Sequence, residues 1–219
     1  MKTKYLQIVS LTATIVAGTA LMTGCATKSG YKQADKTGAG ITEFREEIVN
    51  GKKDIDNTMT ALSQVAATAN QNPRAAFEKY SKSVTDLEST AEKVKKRAAD
   101  MQARGQAYFA QWEKEMQEVQ NPEIRNLAMQ RKAKLQETFD SIKKYTGPLK
   151  EQFGPWMSDL KDLRTYLSND LTVTGVDAAK SLFAKTQTGG LEVQKSMNSL
   201  VAELNTIYAA LTPASEKAK

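Results

Sequence analysis

The feature that most limits the fold of this chain is a seven-residue repeat of apolar side chains. Ile41, Ile48, Ile55, Leu62 and Ala69 recur at that interval, with Phe44, Gly51, Thr58 and Val65 offset by three. Residues spaced alternately by three and four share one face of an α-helix, so such a stripe must be covered by other helices. A second stripe runs Phe77, Val84, Ala91, Ala98, Gly105, Trp112 and Val119, with Tyr80, Leu87, Val94, Met101 and Tyr108 between them. Glu115 alone interrupts it. A helix of about 48 residues is about 70 Å long at 1.5 Å per residue, which excludes a compact ball. Ala128, Leu135, Ile142 and Leu149 form a third line. A final one runs Val176, Phe183, Gly190, Met197, Leu204 and Leu211, with Ala179, Thr186, Val193, Leu200 and Ile207 beside it.

The joints between these segments carry helix-start chemistry. Asn72-Pro73 and Asn121-Pro122 each place a capping side chain before a proline that needs no N–H in the first turn, and Glu123 suits the positive end of its helix. Gly147-Pro148 and Gly154-Pro155 predict kinks or a short break in the third segment. Trp156, Leu160, Leu163 and Leu167 then resume an apolar face, and residues 169–175 read as the last turn. The Asn-Pro sites could also be bends in a longer rod that pairs with other chains. The eight-residue step from Ala69 to Phe77 slips the heptad phase, which suits turns better. With 12 Gly and 5 Pro in 219 residues, the expectation is an all-α chain. It is an elongated antiparallel helical bundle or coiled coil of about four long helices, occupying residues 41–213 with a frayed tail over 214–219.

The front of the chain reads differently. Lys2 and Lys4 precede a mostly apolar run from Leu6 to Met22, and Thr23-Gly24 supplies small residues before Cys25, the only cysteine. This pattern is a secretory signal over residues 1–24. It resembles the bacterial lipoprotein signal, in which cleavage before a cysteine leaves its thiol carrying diacylglycerol. Here Met22 holds the usual Leu position and Leu21 sits one place early. An uncleaved anchor or an ordinary cleaved signal are the alternatives, the first disfavoured by Gln7, Ser10 and Gly18 within the run. The resemblance implies lipid attachment at Cys25, and Ala26 after it implies the outer membrane, on its periplasmic face. Residues 25–40, polar and glycine-rich, are expected to be a flexible leash spanning roughly 20 Å.

Composition removes several chemistries. The chain has no histidine and one cysteine, so it lacks imidazole-dependent nucleophiles, His-ligated zinc and an internal disulfide. Loss of Lys2 and Lys4 with the signal leaves 29 basic and 25 acidic residues, a net charge of +4. No basic block interleaved with aromatics points to nucleic acid. Ser141 with Lys144, and Ser158 with Lys161, match a Ser-x-x-Lys spacing, but the companion motifs are missing. Glu43 with Glu46 and Glu115 with Glu118 put paired carboxylates on a helix face. Bundle metal sites add His to such pairs, so a solvated face is the plainer reading, and no metal or cofactor is expected. Tyr108, Trp112 and Trp156 are core positions by spacing that could instead line a partner or ligand surface, joined by Arg125. That arginine is expected to pair with Glu113 or Glu118.

Residues 112–116, followed by Asn121-Pro122-Glu123-Ile124-Arg125, then Pro155-Trp156-Met157 with Leu160, Asp162, Leu167, Asn169 and Leu171, resemble an uncharacterised family of bacterial envelope proteins, domain of unknown function twenty-nine fifty-nine. The resemblance implies a helical, exported and mostly lipid-anchored protein, and it supplies no activity. The expectation is a non-catalytic structural or partner-binding component of the cell envelope. It is held to the membrane by its N-terminal lipid and binds envelope proteins or itself. A carrier holding a hydrophobic ligand or peptide between its helices is the alternative.

Overall fold

The computed structural model describes residues 30–212. The expected signal over 1–24, the expected attachment point Cys25 and the expected frayed tail over 214–219 lie outside them. The described residues form α1 (Gly30–Ala67), α2 (Arg74–Gln117), α3 (Pro122–Asp140), α4 (Lys143–Asn169), α5 (Val173–Ala178) and α6 (Lys180–Leu211), with no strand among them.

Cross-helix bonds set the topology. Glu43 of α1 meets Arg97 and Arg104 of α2, while Asp54 accepts from the Thr90 hydroxyl at 2.7 Å. Numbers rise on one helix as they fall on the other. The same holds for α1 and α6 through Arg45 to Asn205 (2.8 Å) and Gln194 to Asp56 (2.6 Å). Lys185 to Asp159 and Ser196 to Gln152 fix α4 against α6, and Lys132 to Glu113 fixes α3 against α2. The result is an up-down-up-down bundle whose third leg is split into α3 and α4 and whose fourth is α6 preceded by the short α5.

Burial follows the repeat. Ile48, Ile55, Leu62, Tyr80, Val84, Leu160, Leu167, Leu200 and Leu204 are fully buried. Each such aliphatic side chain contributes about 1.5–3 kcal/mol of transfer free energy relative to exposure. The buried hydroxyls of Thr37 and Thr58 donate to the carbonyls of Gln33 (2.9 Å) and Asp54 (2.7 Å) on their own helix, so neither is left unpaired. Tyr80 donates from α2 to the Leu160 carbonyl of α4 at 2.7 Å.

Three expectations are corrected. Residues 30–40, assigned to the leash, are the first three turns of α1, with Ala34, Thr37, Gly38 and Gly40 buried. The heptad lines extend back through Ala34 and Thr37, and Gly38 and Gly40, lacking side chains, admit Tyr208 with Thr212 and Arg104 respectively against the helix. The third leg does not break at its Gly-Pro pairs, because Pro148 and Pro155 both lie inside α4. Both prolines, and the residues four earlier, Lys144 and Glu151, are exposed, so water can satisfy the carbonyls they leave free. Glycine before each proline removes the Cβ that would otherwise disfavour the helical conformation there. The interruption falls instead at Ser141-Ile142, where the Ser141 hydroxyl bonds back to the Thr138 carbonyl and across to Glu203. Finally, Pro73 is the N-cap residue of α2 rather than its first helical one, with Asn72 Oδ1 accepting from Arg74 N at 3.2 Å. At α3, by contrast, Asn121 Oδ1 accepts from Glu123 N and Ile124 N and Pro122 opens the helix as expected.

Candidate functional site

A concavity lies between α2 and α3. It has a volume of about 330 Å³, with Phe109 and Phe139 as its floor and Gln102, Gln106 and Gln136 on its walls. Lys132 and Glu113 close one side at 2.6 Å, and Lys143 with Asp140 the other at 2.9 Å. A smaller hollow of about 130 Å³ adjoins it and shares Gln102, Phe139, Asp140 and Lys143, reaching Phe44 and Met101 below.

The cleft exists because α3 is held by few contacts. Leu135 and Phe139 are its only buried residues. The Phe139 ring stands over Gly105 of α2, which leaves room for it by having no side chain, and it meets Phe109 edge-on at 5.8 Å. Lys132 retains only 12% of its side-chain exposure. Its stem lies along the aromatic floor while its ammonium reaches Glu113, the usual compromise for a long cationic side chain. The glutamine amides, ammonium groups and carboxylates around two phenyl rings provide hydrogen-bond donors and acceptors beside apolar surface. That combination suits an amphipathic segment or ligand of modest size.

The four residues singled out from the sequence do not converge on this cleft. Tyr108 is buried and packs against Phe109 (5.1 Å) and the half-buried Trp112 (5.6 Å). Burial raises the Tyr108 hydroxyl above its ordinary range, with Arg131 opposing the shift. This pair lies near the Gly30 end of the bundle, where Thr37 Oγ1 donates to the Arg104 carbonyl at 3.3 Å. Trp156 sits elsewhere. It is buried against Gly189, Gly190 and Met59, and its Nε1 donates to the Thr186 carbonyl at 2.8 Å. Thr37 and Met59 are 22 residues apart on α1, or about 33 Å at the helical rise. Arg125 is not paired with Glu113 or Glu118. It donates through Nε (3.1 Å) to the Val119 carbonyl and so ties off the end of the α2–α3 turn.

The remaining motifs are absorbed by structure. Lys161 bonds Glu88 of α2, Ser158 is exposed, and Ser141 serves the helix break. Glu43 is clasped by two arginines, and Glu115 accepts from Gln111 at 2.9 Å. Phe109 is hidden in the sequence because it stands one place beside the heptad line through Tyr108, and Phe139 because it lies on the companion positions between Leu135 and Ile142 rather than on the single line that runs through them. The spacing of Phe139, four after Leu135 and three before Ile142, was the available signal. Cys25 lies outside the described residues.

No curated protein and no solved structure matches the chain. A family model described as Protein of unknown function (DUF2959) matches residues 24–211. The chain therefore belongs to that family of unknown function.

Proposed function

We propose that the protein is a lipid-anchored helical bundle on the periplasmic face of the outer membrane, acting as a structural or partner-binding component of the envelope rather than as a catalyst. The observation that carries this reading is the placement of Cys25. The motif Leu21-Met22-Thr23-Gly24-Cys25 ends five residues before α1 begins, so a diacylglyceryl group there would tether a rigid bundle to the bilayer through a very short link. Among the described residues no helix is long and apolar enough to cross a membrane. The attachment in this reading is the lipid on Cys25.

The experiment combines the mass of the mature N-terminus with fractionation and in-cell crosslinking of tagged protein. A diacylated Cys25, loss of membrane association in Cys25→Ser, and one reproducible crosslinked partner or self-adduct are expected. A free thiol at Cys25 would remove the anchor, and a monomer with no reproducible adduct would remove the scaffold role. The carrier reading is favoured by one observation, the Phe109–Phe139 cleft. It requires a lipid or peptide that stays with the protein in native mass spectrometry and is lost from a Phe139→Ala variant.

A further inference from the structure

The Gly30 end of the bundle differs from the rest of its surface. An added Cβ at Gly30 would lie 3.2 Å from Glu115 Oε2, so the start of α1 adjoins the last turns of α2, and α3 begins at the same end. Nine large apolar side chains are exposed among the described residues, and four of them, Tyr31, Ile124, Leu127 and Met129, belong to this one end. Ile124 is 54% exposed and Leu127 68%, in the first two turns of α3. Four exposed apolar groups at a single tip exceed the scattered singletons of an ordinary surface.

The link to Cys25 identifies what covers them. Four residues separate Cys25 from Gly30, and even a fully extended link over those five steps spans no more than about 18 Å. We propose that this tip rests on the phospholipid surface, with Ile124 and Leu127 entering the interfacial region and the long axis of the bundle rising away from it. The proposal rests on lipid attachment at Cys25. Charge plays a smaller part. Residues 30–36, 113–118 and 122–134 together hold seven basic side chains and five acidic ones, the acids being Asp35, Glu113, Glu115, Glu118 and Glu123. The apolar contact therefore dominates, and added salt should weaken it only slightly.

The test uses the full mature protein isolated from membranes and reconstituted in vesicles of phosphatidylethanolamine and phosphatidylglycerol. An environment-sensitive fluorophore is placed at Leu127→Cys or, as a control, at Leu191→Cys, which is 60% exposed on α6 far from the tip. Quenching by aqueous iodide should be slowed at least about fivefold at position 127 relative to 191, with a blue-shifted emission, because an interfacial helix face lies about 5–10 Å below the headgroup boundary. Equal quenching at the two positions overturns the proposal. So does protection at 127 that appears in detergent without vesicles and tracks dimer formation, which would assign the tip to a second copy. Failure of the anchor is read separately, as an unmodified Cys25 by mass. Vesicles added to that labelled chain still decide whether the tip binds lipid.

Discussion

Replacing Gly105 with alanine should destabilise the protein, although the same change stabilises most helices. In an unobstructed helix interior the substitution gains about 1 kcal/mol. Here a Cβ would fall within 2.6 and 2.8 Å of Phe139 Cε1 and Cε2, and nearer still to Cζ. Ordinary carbon contacts are about 3.5–4.0 Å, so the ring must retreat by about 1 Å. It cannot do so freely, being 5% exposed and set edge-on to Phe109. Overpacking of this kind costs about 1–3 kcal/mol, which after the propensity gain leaves a net loss of up to about 2 kcal/mol. For a chain of this size that is a fall of up to about 8 °C in Tm. The decisive measurement is a double-mutant cycle by urea unfolding. In a Phe139→Leu background the obstruction is gone, and Gly105→Ala should there be neutral or stabilise by up to about 1 kcal/mol. An equal cost in both backgrounds, or a gain in the parent protein, refutes the packing argument.

Two further outcomes follow from other contacts. Burial raises the Tyr80 hydroxyl well above its ordinary range, with Arg164 opposing the shift. Its neutral form is favoured in the folded state, so its stabilisation is complete below pH about 10, where the unfolded chain also keeps the proton, and is lost as pH rises above that value. Alkaline unfolding followed by far-UV circular dichroism should be shallower in Tyr80→Phe, with the neutral-pH stability lower by about 1 kcal/mol for the lost bond to the Leu160 carbonyl. Asn121→Ala should cost about 1 kcal/mol by freeing the amides of Glu123 and Ile124. Hydrogen exchange should accelerate in α3 before it does in α1, and uniform acceleration would count against a local cap.

The bundle was legible because its core positions obey one rule over long distances. Ile41, Ile48, Ile55 and Leu62 announce their face by identity and by spacing, and Asn121-Pro122 announces a helix start by the chemistry of its side chain. The sequence misleads where a residue's role depends on a neighbour not adjacent in the chain. Ala34, Thr37, Gly38 and Gly40 look like a linker in isolation and become a packing face only beside Arg104, Tyr208 and Thr212. Pro148 and Pro155 look like breaks until their exposure is known. The cleft depends on a void at Gly105 that Phe139 fills from another helix, and no local pattern encodes that pairing. Tyr108, Trp112 and Trp156 share an aromatic residue type, which carries no information about distance. The fold keeps Tyr108 beside Trp112 and places Trp156 far along the bundle from both.

Both ends of the described chain leave from one side of the bundle, because α1 starts and α6 finishes there, with Gly38 beside Thr212. The turns over 68–73 and 170–172 lie at the opposite side. The 38 residues of α1 fix the separation between the two at about 57 Å. A helix resists compression far better than a flexible tether, so the protein behaves as a ruler. Anything fastened near Gly30 and anything recognised by the far turns are held apart by a distance written in the length of α1, and inserting or deleting whole heptads in all four legs would reset it by about 10 Å per repeat.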